Sequence, residues 1–286
     1  MVAFDNWRAY AALGLTVTAH GVFASPVAVT KAAANCSRAD LIAVADAYVA
    51  AQTAGKLDAL SKVLASNWTY EENNKVIDVA KGVLSKALKI DNRRTIVDTT
   101  ACATFTELVI ADAASPYVIG TQLRHDAALK ITLIDSVAST TGSWLFDAKK
   151  TLDFVKQEKW DPIPEDKRDS RAAIQAAGDA YMDMWNDAKA SDKVPWGTPC
   201  TRLEGSAYTG KGRPDDSCKA GIPSNHNQAP NTHRRYVVDE TMGSVNILCI
   251  WEHMMNAADS HEFRLEGGKL RYVHTMTECG GKTCRL

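Results

Sequence analysis

The stretch Arg93-Arg94-Thr95-Ile96-Val97-Asp98-Thr99-Thr100 returns later in the chain as Arg234-Arg235-Tyr236-Val237-Val238-Asp239-Glu240-Thr241. Both copies follow the pattern Arg-Arg-x-(Ile/Val)-Val-Asp-x-Thr. A long-range repeat of this kind indicates that a whole structural unit is present twice, which constrains the architecture before any single residue is interpreted. It predicts a cavity or an interface that is built twice.

Two further matches occur in the same order. Asp46-Ala47-Tyr48 corresponds to Asp179-Ala180-Tyr181, and both lie in helix-like stretches. Leu152-Asp153-Phe154-Val155 corresponds to Leu270-Arg271-Tyr272-Val273. Three matches in one order favour a duplication, although helix and strand composition alone also produces short coincidences.

The composition is that of an ordinary globular protein. The 286 residues are 45% hydrophobic and 23% charged, and this length suits two domains of typical size. A net charge of −1 provides no basic surface for nucleic acid, so no nucleic-acid partner is expected. No apolar run reaches the length of about 18–20 residues that a membrane span needs, so no membrane partner is expected either.

The N-terminus is typical of a secretory signal peptide covering residues 1–24. An apolar run follows Arg8, and Val22-Phe23-Ala24 provides the small residues of a cleavage site. Asp5 and His20 do not fit this pattern, and an N-terminal helix packed on the fold is the alternative. We expect a secreted protein or one of the secretory pathway.

The seven cysteines are scattered and form no Cys-x-x-Cys pair, which argues against a zinc ribbon. They suit disulfides in an oxidising compartment. We expect Cys36–Cys102, Cys200–Cys218 and Cys249–Cys279, with Cys284 left over. Asn35 and Asn67 begin glycosylation sequons, which have meaning only in a secreted chain. In a cytosolic protein the same cysteines would be buried thiols.

Each half is predicted to place helices before strands. The first half spans residues 35–160, a linker with two prolines spans 161–168, and the second half spans 169–286. One predicted helix begins at Ser37, and three others cover residues 56–65, 79–88 and 169–189. The predicted strands cover residues 95–109, 117–123, 130–137, 143–154, 235–251 and 269–276, and residues 195–231 are predicted to be a loop. This order is typical of an α+β protein with a bent antiparallel sheet packed on N-terminal helices in each half.

Three segments resemble tandem NTF2-like (SnoaL-like) proteins secreted by fungi, and the resemblance covers nearly the whole chain after residue 35. They are Tyr70-Glu71-Glu72-Asn73-Asn74, Val194-Pro195-Trp196-Gly197-Thr198-Pro199-Cys200 and Arg234-Arg235-Tyr236-Val237-Val238-Asp239. The chain is also similar to the hetero-Diels–Alderases of tropolone–sesquiterpenoid pathways. That resemblance implies a cofactor-free pericyclase that dehydrates a tropolone alcohol to a quinone methide and directs its addition to a humulene-type sesquiterpene. The alternatives are a secreted protein that binds a small molecule without chemistry, and a simple dehydratase or isomerase.

The sequence holds no Gly-x-Ser-x-Gly, no His-Glu-x-x-His and no phosphate-binding glycine loop, so no cofactor is expected. Glu71 and His274 are the candidate catalytic residues. A buried Glu71 with a raised pKa could protonate a leaving hydroxyl, and His274, which the third match aligns with Lys156, could act as acid or base. Each also has a structural interpretation, as an exposed strand end and as a core histidine.

The hydrophobic substrate is expected to contact residues from both halves. The predicted ligand-binding residues are Tyr70, Asn73, His125, Arg235, Asp239, Trp251 and Tyr272. Period-two alternation puts Arg94, Ile96 and Asp98 on one face of a strand, where the charges could line a cavity or form structural ion pairs. His233, His253 and His261 match no compact metal motif, so no metal is expected. A homodimer is compatible with the sequence but not required, because two fused halves already make a pseudo-dimer.

Overall fold

Two six-stranded sheets form the centre of the computed structural model, which describes residues 36–284. The predicted signal peptide and the Asn35 sequon lie outside the described residues. The helices are α1 (Arg38–Ala54), α2 (Ala148–Val155), α3 (Arg171–Asp183) and α4 (Ala188–Lys193). The strands of the first sheet are β1 (Leu64–Glu72), β2 (Lys75–Val76), β3 (Asn92–Asp98), β4 (Ala103–Ile110), β5 (Tyr117–His125) and β6 (Ile131–Ser139). Those of the second are β7 (Thr201–Glu204), β8 (Ala207–Tyr208), β9 (Asn231–Asp239), β10 (Ser244–Trp251), β11 (Ala257–Glu266) and β12 (Lys269–Glu278).

The two sheets have the same strand order. It is β2-β1-β6-β5-β4-β3 in the first half and β8-β7-β12-β11-β10-β9 in the second. This confirms an α+β protein and is consistent with two tandem halves. The prediction of a purely antiparallel sheet was wrong, because β1 runs parallel to β6 and β7 runs parallel to β12. Long connections separate these strands along the chain, and parallel pairing needs such connections.

One long helix packs on one face of each sheet. Ser37 caps α1 by accepting from the Asp40 amide (3.1 Å), and the helix buries Leu41, Val44 and Tyr48 as predicted. Ser170 caps α3 in the same way. A Cβ on Gly178 of α3 would lie 3.0 Å from Val245, so the missing side chain lets the helix approach the second sheet closely.

Several predicted elements were wrong. Residues 56–65 hold only a 3₁₀ turn at Leu57–Leu60 before β1 begins, and residues 79–88 hold two such turns. Residues 143–154 are not a strand: Asp147 caps α2, its carboxylate accepting from the Lys150 amide (3.1 Å). The third sequence match therefore pairs a helix, Leu152–Val155, with a strand and is a coincidence. The predicted loop at 195–231 contains the short strands β7 and β8.

Within residues 36–284 the cysteines form three disulfides. Cys36–Cys102 and Cys200–Cys218 are as predicted. The prediction of Cys249–Cys279 was wrong, because Cys279 pairs with Cys284 five residues later, while Cys249 is a buried free thiol. Cys249 points at the helix-covered face of the second sheet, where its Sγ lies 3.5 Å from the Asp259 carboxylate.

The faces of the two sheets that are not covered by helices pack against each other. Ile96, Phe105 and Val118 of the first sheet share one apolar cluster with Val237 and Met276 of the second. The halves are therefore joined by a continuous core, and the described residues form one compact unit.

The repeated motif forms a reciprocal contact between the halves. Asp98 accepts from the Val238 amide (2.9 Å) and pairs with Arg171 (2.7 Å). Asp239 accepts from the Val97 amide (2.8 Å) and pairs with Arg38 (2.8 Å). Both aspartates are buried. The same residue of each copy thus reaches across to the other copy, as in the interface of a two-fold dimer.

The first arginine of the motif stays within its own half and joins helix to sheet. Arg93 pairs with Asp46 of α1 (2.6 Å), and Arg234 pairs with Asp179 of α3 (3.3 Å). The two Asp-Ala-Tyr matches in the sequence are explained by this contact, because their aspartates are the partners of the repeated arginines.

Strand register shows which residues of the two halves correspond. Asp98 and Asp239 are equivalent positions, and strand pairing can be followed from each of them across its own sheet. In the first sheet this leads to the pair Gln122 and Asp135, and in the second sheet it leads to the equivalent pair Glu262 and His274. His274 therefore corresponds to Asp135 and not to Lys156, which ends α2. By the same strand pairing, Thr201–Glu204 in the second sheet is equivalent to Thr69–Glu72 in the first. The segment around Tyr70 therefore does have a counterpart in the second half.

Candidate functional site

A buried charge network at the sheet–sheet interface holds one of the two predicted catalytic residues. Arg94, the second arginine of the motif, lies 2.5 Å from Glu262 and 3.1 Å from Glu107. His274 is held at both ring nitrogens, with Nδ1 3.1 Å from Glu107 and Nε2 2.6 Å from Glu158. The Trp160 ring covers the Arg94 guanidinium at 3.8 Å. Arg94 and His274 thus face three carboxylates without water access.

The network keeps its members charged. Burial alone would lower the pKa of His274, but the carboxylates of Glu158 and Glu107 outweigh it and raise that pKa to about 9. Burial alone would raise the pKa of Glu107, but Arg94 and His274 lower it to about 2. A histidine held between two carboxylates inside an interface is the arrangement of a structural ion pair. The geometry therefore favours the structural interpretation of His274, and its catalytic role stays a prediction.

Glu71, the other predicted catalytic residue, is not brought together with His274 by any hydrogen bond or ion pair of the described residues. It is partly exposed and lies beside Asp135 on the side of the first sheet that faces the second. Its neighbour Glu72 is the inward glutamate, accepting from the Tyr70 hydroxyl and the Val83 amide, both at 2.6 Å. Burial, together with the Glu72 charge, raises the pKa of Tyr70 well above its usual range.

Four of the predicted ligand-binding residues make structural contacts. Asn73 accepts from the Ala138 amide (2.8 Å) in the turn after β1. Arg235 pairs across the halves with Asp135 (2.6 Å). Asp239 belongs to the reciprocal contact, and Tyr70 is held by Glu72.

His125 and Tyr272 lie elsewhere. His125 ends β5, and burial lowers its pKa to about 4. The Tyr272 ring stacks on Trp160 with 5.2 Å between centroids, and its hydroxyl accepts from the Lys159 amide. Tyr272 also lines a small cleft of about 320 Å³ beside Glu158. The predicted residues are therefore dispersed and do not form one site.

Trp251, the remaining predicted ligand-binding residue, lines a cleft of about 540 Å³ in the second half. Trp144 from the loop before α2 and Trp185 after α3 line it as well, so we call it the tryptophan cleft. The rings of Trp185 and Trp251 are 5.9 Å apart. Trp251 donates to Gln228 (2.9 Å), and Trp144 donates to Glu204 (3.3 Å). These hydrogen bonds fix the orientation of the Trp251 and Trp144 indoles.

Arg202 and Glu204 of β7 give the tryptophan cleft a polar side. They lie 3.1 Å apart. Arg202 also donates to the carbonyls of Cys218 (3.3 Å) and Ala220 (2.5 Å), which fixes the loop closed by the Cys200–Cys218 disulfide. The segment that follows this loop forms one wall of the cleft, because Ala220 and Gly221 line it.

A polar cluster lies next to Arg202 on the helix-covered face of the second sheet. The Tyr181 hydroxyl is beside the Arg202 guanidinium, and the Tyr181 ring packs against Trp185 and His261. His261 Nδ1 lies 2.7 Å from the Asp259 carboxylate in a bent contact, and Thr277 donates to the same carboxylate (2.6 Å). The cleft is thus backed by groups that can donate and accept protons.

The corresponding face of the first half is closed. Tyr70 takes the place of Arg202, and its hydroxyl is already bound to Glu72. Tyr48, the counterpart of Tyr181 in the Asp-Ala-Tyr match, shares a hydrogen bond with Thr121 (2.7 Å). The two halves therefore differ on the sheet face that the helix covers. In the first half the tyrosine hydroxyls there are hydrogen-bonded, whereas in the second half the same face borders an open cleft with charged side chains.

Arg202, Glu204 and Tyr181 are candidate residues that were missed in the sequence. β7 was not predicted because it lies in a segment rich in Gly and Pro, although the spacing of Arg202 and Glu204 is typical of one face of a strand. In the sequence, Tyr181 marks only the Asp-Ala-Tyr repeat. Among residues 36–284, no three His, Cys, Asp or Glu side chains are grouped to hold a metal ion.

Comparisons with known proteins cover the half that contains the cleft. A family model described as a domain of unknown function (DUF8021) matches residues 167–277, from just before α3 to near the end of β12. No curated protein matches the chain. The matched residues include most of the second structural half. In the described part of the chain, no helix is long and apolar enough to cross a membrane.

Proposed function

We propose that the second half binds a planar, largely apolar small molecule in the tryptophan cleft, and that each half is an NTF2-like unit. The observation that carries the proposal is the cleft itself, where three indoles surround about 540 Å³ and two charged side chains form one side. Ligand sites usually have this size and this combination of apolar walls with few polar groups. For the fold, support comes from the sheet order with one parallel pair and from the long helix across each sheet.

The disulfides and the exposed Asn67 sequon support a secreted protein. Disulfides persist in oxidising compartments and are rare elsewhere. Asn67 lies on the exposed part of β1, away from the tryptophan cleft, so a glycan there would leave ligand binding unaffected. A secreted protein with a preformed apolar cleft suits the capture of a small molecule outside the cell.

The test is the affinity for 4-nitroanisole, a flat and uncharged probe that quenches tryptophan fluorescence. We expect Trp251→Ala to weaken binding about tenfold or more, because an indole that stacks on the ligand contributes on the order of 1–2 kcal/mol. Trp251→Phe should retain most of the affinity, which separates loss of stacking from misfolding. Trp68→Ala in the first half is the control and should bind like the unmodified protein. Equal affinity of all variants would refute the assignment of the cleft.

A second candidate function is the hetero-Diels–Alder chemistry that the sequence resemblance implies. The observation in its favour is the Arg202 guanidinium at an apolar cleft, since Arg202 could hydrogen-bond the heterodiene carbonyl. Positioning two reactants can supply several kcal/mol, up to about 7–11 in the best cases. Product from a tropolone alcohol and a humulene alcohol no faster than in buffer would exclude it. Glu71→Gln and His274→Ala test the roles first predicted for those residues.

A further inference from the structure

Two buried hydrogen-bond donors beside the tryptophan cleft have no partner in hydrogen-bonding geometry among the described residues. They are the Tyr181 hydroxyl and Nε of Arg202. Arg202 lines the cleft, whereas the Tyr181 hydroxyl lies beside the Arg202 guanidinium and outside the cleft lining. Tyr181 is fully buried, and the Arg202 side chain is 5% exposed. Leaving a buried polar group without a partner destabilises the folded protein. Native structures therefore rarely keep two such donors side by side unless a ligand or water satisfies them.

The charges around these donors favour an acceptor that is negative. Arg202 and Lys211 line the cleft with a single carboxylate, Glu204. Glu204 is already engaged by Arg202 and by the Trp144 indole. On the neighbouring strand, Asp259 is held by Thr277 and His261 and does not compete for Tyr181.

We propose that the inner end of the tryptophan cleft is an oxyanion site, formed by Tyr181 and Arg202, for the carboxylate or phenolate of a planar aromatic ligand. The proposal rests on the proposed function, because the indoles must hold the ring of the same ligand. It names the ligand class that this cleft takes, namely flat aromatic anions. The anion completes the hydrogen bonds of both donors, and its ring lies between the tryptophans.

The protonation states of the two donors suit this task. Burial, which outweighs the nearby Arg202 charge, raises the pKa of the Tyr181 hydroxyl to about 12, so it stays protonated and donates. Burial alone would lower the pKa of Arg202, but its neighbours raise it, so the guanidinium stays charged. Hydrogen bonds from such groups to an oxyanion are about twice as strong as neutral ones.

The Tyr181 hydroxyl is fully buried and is not open to the cleft. Trp185 packs edge-on against Tyr181 with ring centroids 6.1 Å apart, and it also lines the cleft. The proposal therefore requires a neighbouring ring such as Trp185 to move before the anion reaches Tyr181. The first half offers no such site, because its counterpart Tyr48 already shares its hydroxyl with Thr121.

Three probes of nearly equal shape test the proposal on the full chain: 4-nitrobenzoate, 4-nitrophenol and 4-nitroanisole. We expect the unmodified protein to bind 4-nitrobenzoate or the 4-nitrophenolate ion about tenfold or more tighter than 4-nitroanisole, and the two anions show which oxyanion is preferred. Tyr181→Phe should remove most of this preference and leave 4-nitroanisole affinity unchanged. The variant keeps the shape of the side chain and loses only a hydroxyl that lies beside the Arg202 guanidinium without a partner in hydrogen-bonding geometry, so it should fold normally.

Tyr48→Phe is the matched control, because it removes the corresponding hydroxyl of the closed half, and it should keep the full preference for the anions. Binding of all three probes with equal affinity would overturn the oxyanion site while leaving the proposed cleft function intact. An anion preference that survives Tyr181→Phe would also overturn it. Binding of none of the probes would refute the proposed function itself.

Discussion

Arg94→Met is expected to lower the free energy of unfolding by about 3–5 kcal/mol, because it leaves the buried Glu262 without a cationic partner among the described residues and leaves Glu107 paired with His274 alone. Removing one partner of a buried ion pair destabilises a protein far more than replacing both partners with apolar residues, since the remaining charge stays desolvated. Urea titration followed by circular dichroism measures the change.

Arg93→Met is the matched control for this experiment. Arg93 precedes Arg94 in the motif and pairs with Asp46, whose side chain is 58% exposed. Exposed ion pairs contribute about 0–1 kcal/mol, so this variant should be nearly as stable as the unmodified protein. If both arginines give the same small loss, the buried network does not hold the halves together.

Asp98→Ala and Asp239→Ala should each cost about 3–5 kcal/mol, and the two losses should be similar. Each aspartate pairs with an arginine and accepts a backbone amide of the other half, so its removal leaves a buried amide and a cation without partners. The measurement is again the free energy of unfolding in urea.

Asp46→Ala provides the comparison, since its ion pair with Arg93 is exposed, and its loss should stay below about 1 kcal/mol. A large loss for one interface aspartate with a negligible loss for the other would contradict the reciprocal arrangement. The repeated motif would then mark common ancestry without a common structural role.

The repeated motif could be recognised in the sequence because its contacts are made twice. Arg93 and Arg234 need a helix aspartate, and Asp98 and Asp239 need an amide of the other half, so the same residues recur in both copies. The helix that begins after Ser37 and most strands were predictable for a similar reason, since caps and alternation act locally. The contacts of the motif were not predictable, because a hydrogen bond between residues 142 positions apart leaves no local pattern.

The candidate site was harder to predict because it depends on strand register. Glu71 was chosen over Glu72, yet it is Glu72 that turns inward, and a shift of one residue along a strand reverses the side on which a side chain lies. His274 was compared with Lys156 because of a chance sequence match, whereas the strand register shows that His274 is equivalent to Asp135. Arg202 and Tyr181 come together only when β7 and α3 meet, which no short sequence pattern records.

Photolabelling with 4-azidobenzoate tests most directly whether the ligand site is the tryptophan cleft. This flat aromatic anion should enter the tryptophan cleft and, on irradiation, label peptides that contain Trp144, Trp185 or Trp251, with excess 4-nitrobenzoate suppressing the label. Competed labelling confined to residues 64–139, the sheet of the first half, would contradict the account.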